Sequence, residues 1–138
     1  MTTDLHSQAI IGGVIESVSD DKIVLNITGT DYQLHLVPTV PAAEIGASVG
    51  KRIKGTIQAK ALKIHSANGG GRFIEPVYGA PRIVAGVVLA VDDESRTVLV
   101  DVAIPMRVAL SDNQDLNVCQ VGELVNFYVE SGTSFTPV

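Results

Sequence analysis

An all-β fold is predicted from three observations. Val, Ile and Thr make up 41 of the 138 residues, against ten Leu and two Met, a composition that suits a pleated surface of β-branched side chains rather than helices. Short runs alternate apolar and polar residues with the period of a strand and are bounded by Gly, Asp, Ser and Pro. The same succession of runs occurs twice, at a shift of 72 to 75 residues. With 46% hydrophobic residues, the chain has core enough for one compact domain or two very small ones, and disorder is excluded.

The elements follow in order. Gly13-Val-Ile-Glu-Ser-Val18 matches Gly86-Val-Val-Leu-Ala-Val91, and each leads into an acidic bend, Ser19-Asp-Asp-Lys22 or Asp92-Asp-Glu-Ser95, read as a strand and a hairpin turn. Ile23-Val-Leu-Asn-Ile27 and Val98-Leu-Val-Asp-Val102 are second strands with Asn26 and Asp101 facing water. Third strands place Tyr32, Leu34 and Leu36 inward in one half and Met106, Val108 and Leu110 in the other. Pro41-Ala-Ala-Glu-Ile45 and Ser111-Asp-Asn-Gln-Asp-Leu116 are each expected to form a single helical turn. Val49-Gly-Lys-Arg-Ile-Lys-Gly-Thr-Ile57 then corresponds to Val121-Gly-Glu-Leu-Val-Asn-Phe-Tyr-Val129.

Both halves close on a similar phrase, Phe73-Ile-Glu-Pro-Val77 and Phe135-Thr-Pro-Val138. The first half carries Lys60 to Arg72 where the second has only Ser131 to Ser134. Within that insertion the apolar phase slips from odd positions (Ile53, Ile57, Ala59, Ala61) to even ones (Leu62, Ile64), the mark of a bulge or of a strand moving between sheets. Two tandem small β-barrels related by internal duplication are therefore expected: residues 10–77, a linker at 78–85, and residues 86–138. Halves of this size are near the limit for independent folding, so a shared apolar interface is expected. One larger barrel or a sandwich fits the same pattern.

Thr39-Val-Pro-Ala-Ala-Glu-Ile-Gly46, followed by Val49-Gly50 and by Ile53 to Ile64, resembles the molybdenum-pterin-binding type of domain found singly or in tandem in molybdate-binding proteins. The resemblance covers about a third of the chain and implies an OB-like barrel, often duplicated, and molybdate as one ligand. The polar segment that helps hold the oxyanion in that family is here His6-Ser-Gln-Ala9, and the second half offers Tyr78-Gly-Ala-Pro-Arg82.

The formal net charge is −5, unevenly distributed. Lys51, Arg52, Lys54, Lys60, Lys63, Arg72 and Arg82 lie in one stretch with a single acid, Glu75, for a formal +6, leaving −11 on the rest of the chain. Such a stripe favours an anionic partner; lysines guarding sheet edges are the structural alternative. Asn68-Gly-Gly-Gly-Arg72 can turn several N–H groups toward one point beside a guanidinium, as anion sites do, or can be a surface turn with Arg72 paired to Glu75. The anion-binding candidates are Lys60, Lys63, Gly69, Gly70, Gly71 and Arg72.

Other chemistry finds little support. His35 and His65 lack ligands at metal-binding spacing, and the acidic bends read as turn chemistry rather than calcium loops. Cys119 cannot form an intramolecular disulfide and reads as a buried, inert thiol. The barrel class suits single-stranded nucleic acid, but six aromatics, with Tyr32 and Phe127 in inward phases, leave no evident stacking platform. No catalytic set or cofactor fingerprint is present. The sequence thus predicts a cytoplasmic, non-enzymatic binding or assembly module. It is expected to form homo-oligomers, to use no cofactor or membrane, and to dock a small anion or an acidic protein segment; a purely structural subunit is the rival reading.

Overall fold

The computed structural model describes residues 8–67 and 69–138; His6 and Ser7 of the amino-terminal segment and Asn68 of the glycine run lie outside these. The chain is all-β as expected. Its strands are β1 (Ile11–Val18), β2 (Ile23–Ile27), β3 (Gln33–Pro38), β4 (Arg52–Ser66), β5 (Phe73–Glu75), β6 (Tyr78–Gly79), β7 (Ile83–Asp92), β8 (Thr97–Asp101), β9 (Pro105–Ala109), β10 (Leu124–Val129) and β11 (Ser134–Pro137). A one-turn helix, α1 (Ala42–Ile45), precedes β4. Its free N–H at Ala42 is satisfied by the Asp20 carboxylate from the first hairpin bend, at 2.8 Å. The second helical turn is 3₁₀ and falls at Leu116–Val118, later than expected, because Asp115 caps it by accepting from the Asn117 N–H.

All eleven strands belong to one hydrogen-bonded sheet, and its pairings form two closed circuits. The first runs β1-β2-β3-β11-β4 and returns to β1. The second runs β4-β10-β7-β8-β9 and returns to β4. In each, three strands form an antiparallel meander, and the third pairs in parallel with a strand from the other half of the chain: β3 with β11, and β9 with β4. The carboxy-terminal strand therefore lies in the amino-terminal circuit, while the second part of β4 lies in the other. Hydrogen bonding does not divide the chain at residue 77.

The apolar phase slip is the passage of β4 from one circuit to the next. Residues 52–58 pair with β1 and β11, and residues 58–66 with β9 and β10. Opposite β10 the register skips Leu62 between Lys63↔Tyr128 and Ala61↔Val129, so Leu62 and Lys63 are both exposed while Ile64 returns inward. The first part of the apparent insertion, from Lys60 to Ser66, is thus the continuation of one long strand. The matching closing phrases, by contrast, have different roles: Phe73–Glu75 pairs with β7, whereas Ser134–Pro137 lies between β3 and β4.

β4 and the β10–β11 segment make one long antiparallel ribbon. It is continuous through the bonds from Glu130 N–H to the Lys60 carbonyl and from Val138 N–H to the Lys54 carbonyl. The opposite edge of β4 is covered by β1 and β9, and then by Gln114, whose side-chain amide donates to the Ala61 carbonyl (2.8 Å) and accepts from the Ile64 N–H (3.0 Å). A side chain thus takes the place of a strand where β9 ends. The segment after the glycine run straps the circuits together: β5 joins β7, β6 joins β3, and Ile74 N–H donates to the Tyr32 hydroxyl.

One apolar cluster extends through both circuits, from Ile11 and Leu25 to Val100 and Phe127. Volume is shared between facing strands. Phe135 is fully buried and packs against Gly55, where any Cβ would overlap the Phe135 ring and the Thr136 carbonyl. In the second circuit Phe127 supplies the bulk on β10, opposite Ile64 of β4. Although Phe135 lies close to the carboxy terminus, Phe135→Ala is expected to destabilise the protein by about 3–5 kcal/mol. Urea unfolding followed by circular dichroism checks this; a loss below about 0.5 kcal/mol, the scale of a surface substitution, would mean that β11 does not fill the first circuit.

Candidate functional site

The β4 ribbon positions most of the basic stretch. Inward residues Ile53, Ile57, Ala59, Ala61 and Ile64 are buried, so the pleat turns Arg52, Lys54, Gln58, Lys60, Lys63 and His65 outward. The parallel register pairs Gln58 with Arg107 of β9 and adds a cation that is distant in sequence. From Arg52 to Lys63 the row extends about 36 Å at the rise of a strand. Among the described residues no carboxylate lies within ion-pair distance of Arg52, Lys54, Lys60, Lys63 or Arg107.

The middle of the row is polar and already organised. Ser134 and Thr136 hydroxyls each donate to the Gln58 side-chain oxygen at 3.1 Å, Thr39 donates to Thr136 at 3.0 Å, and the Gln58 amide donates to Thr56. Beside this network, where the chain crosses between circuits, a cleft of about 210 Å³ is lined by Gln58, Lys60, Glu130, Ser131, Gly132 and Ser134, among others. The ribbon face therefore carries lysines at both ends, hydroxyls at its centre, and one acid, Glu130, beside Lys60.

The glycine run is separate from this row. Gly69, Gly70 and Gly71 border open space, and Gly70 takes a positive φ of 96°, a turn conformation that favours glycine. Arg72 pairs not with Glu75 but with Asp101 at the end of β8, at 2.6 Å. With the two side chains 53% and 26% exposed, the pair is worth about 0–1 kcal/mol; it folds the run back toward the second circuit and offsets the charge of Arg72. Lys60 and Lys63 thus belong to the β4 row, and Arg72 to a strap contact.

The remaining sequence candidates are accounted for locally. Asp92 accepts from the Glu94 N–H at 3.1 Å within its own turn, as Ser19 does from Lys22 at 3.2 Å. Arg107 and Tyr128 were not among the candidates. Arg107 is brought to the row only by the long-range β4–β9 pairing. Tyr128 stands on the outer side of β10, directly opposite Lys63, a placement legible only once the register is known. Among the described residues no three His, Cys, Asp or Glu converge as a metal site would require, and no helix is long and apolar enough to cross a membrane.

No protein-family model matches the chain, and no curated protein is significantly similar to it. Cys119 is buried, and burial, reinforced by the charge of Asp115, pushes its thiol above the usual cysteine range. A thiol without a thiolate is a poor nucleophile. Native protein at neutral pH is therefore expected to react with a disulfide reagent at least ten-fold more slowly than protein unfolded in urea. Equal rates in stopped-flow absorbance would show Cys119 to be accessible and activated.

Proposed function

We propose that the chain is a non-catalytic binding module for an extended anionic ligand. On this reading it comprises two OB-like barrels, related by duplication, that exchange their fifth strands and present the outer face of β4. The observation that carries this reading is that cations with no ion-pair partner among the described residues stand on a strand paired along both edges. Lysines on strands commonly protect open edges, but β4 has partners on both sides, so edge protection does not account for Lys54, Lys60 and Lys63.

Spacing favours a chain-like anion. Lys54 and Lys60 are separated by about 20 Å along the strand, too far for one molybdate, sulfate or phosphate to touch both. At physiological ionic strength charges separated by more than about 8 Å act nearly independently, so each cation would meet a different charge of a polymer. The acidic remainder of the chain repels the same ligand elsewhere and confines docking to this face.

Inorganic polyphosphate at low ionic strength is expected to raise the thermal midpoint, and added salt to reverse the effect. Replacing Lys60 and Lys63 by Ala should weaken binding at least ten-fold in calorimetric titration, whereas Arg72→Ala, whose partner is Asp101, should change it less than two-fold. If polyphosphate has no effect and the lysine variant alters only particle mass in light scattering, the face meets an acidic surface of a second copy and the reading fails.

A further inference from the structure

We propose that the polyanion recognised on this face is a single-stranded nucleic acid, with Tyr128 as the platform on which a base stacks. The proposal rests on the polyanion reading above and adds the chemistry that selects among polyanions. Across the register Lys63, Tyr128, Ile83 and Glu75 form one row over β4, β10, β7 and β5. The residues next to them, Ile64, Phe127, Val84 and Ile74, are all buried, so this row is on the outer face. Tyr128 is 56% exposed and Leu62, displaced outward by the bulge, is 55% exposed. The row thus sets an exposed aromatic ring between a free cation and an apolar side chain, at the cross-strand spacing of about 5 Å.

A base needs a flat apolar face for stacking and its phosphate needs a cation one side chain away. Tyr128 and Lys63 supply both, and Lys60, Lys54 and Arg52 continue the cationic track along the same strand. On the other side of the ring Ile83 borders an open recess of about 330 Å³ shared with Glu75, Pro76, Val77 and Arg82, which leaves room for the base. The partly exposed amide and hydroxyls of Gln58, Ser134 and Thr136 suit sugar and phosphate oxygens.

An acidic peptide is less well matched. Extended peptides gain most of their affinity by adding to an open sheet edge, and the edges of β4 are taken by β1, β9 and Gln114 on one side and by β10 and β11 on the other. Such a peptide would be held by its carboxylates alone and would leave Tyr128 and Leu62 unused.

The test uses the full chain and a fluorescein-labelled oligothymidine of about 15 nucleotides, near the upper site size for one barrel of this class, with inorganic polyphosphate, polyglutamate and heparin as competitors in fluorescence polarisation. Expected are preference for the oligonucleotide over all three competitors, a loss of about ten-fold or more for Tyr128→Ala, and retention of affinity in Tyr128→Phe. The salt slope should be unchanged in Tyr128→Ala but reduced by about 0.7 for each lysine removed from the row. If polyphosphate or heparin binds as tightly as the oligonucleotide and Tyr128→Ala has no effect, the nucleic-acid assignment falls while polyanion binding stands. Stronger binding of polyglutamate would assign the face to an acidic polypeptide, and binding of none of the four would remove the polyanion reading itself.

Discussion

The organising constraint of this molecule is that β4 is hydrogen-bonded along both edges while passing from one strand circuit into the other. A strand in that position cannot belong to either half alone. Its first part closes the circuit begun by β1, and its second part supplies the parallel partner that β9 requires. The chain answers with the reverse exchange, sending β11 back between β3 and β4. Because each circuit is completed by a strand from the other half, neither forms without its neighbour. Halves of this size bury too little surface to be comfortable alone, and reciprocal exchange joins their cores into the single apolar cluster observed.

The same constraint shapes the surface. Closing both circuits removes most open edges, the usual route to non-specific strand pairing. What remains for recognition is the outer face of the ribbon, where the pleat brings out every second residue. On β4 these are cations, His65 and one amide, Gln58; on β10 and β11 they are Asn126, Tyr128, Ser134 and Thr136, with Glu130 in the segment between. Buried Gly55 and Phe135 below, and Ser134 and Thr136 above, show one short strand serving core and surface at once.

Local features were legible in the sequence, and long-range ones were not. The hairpins of both halves, the wet faces at Asn26 and Asp101 and the first helical turn all follow from alternation and turn chemistry, which act over a few residues. The phase slip between Ala61 and Leu62 is also visible, because a bulge must change which parity faces the core. The exchange of closing strands is not: β11 could pair with either half, and the choice depends on which core has room for Phe135. The likeness of Phe73–Val77 to Phe135–Val138 pointed to the wrong equivalence for that reason. Lys60 and Lys63 were identified by charge alone, whereas Arg107, Tyr128 and the Asp101 partner of Arg72 needed pairings across tens of residues.

Strand exchange is tested most directly by nuclear Overhauser contacts in solution across the two parallel pairings. Expected are contacts of Phe135 with Pro38 and of Ser134 with Val37, together with contacts of Ala59 with Val108. Contacts of Phe135 with β9 in place of β3, and of Ala59 with β3 in place of β9, would show two unexchanged barrels and contradict the shared β4 ribbon.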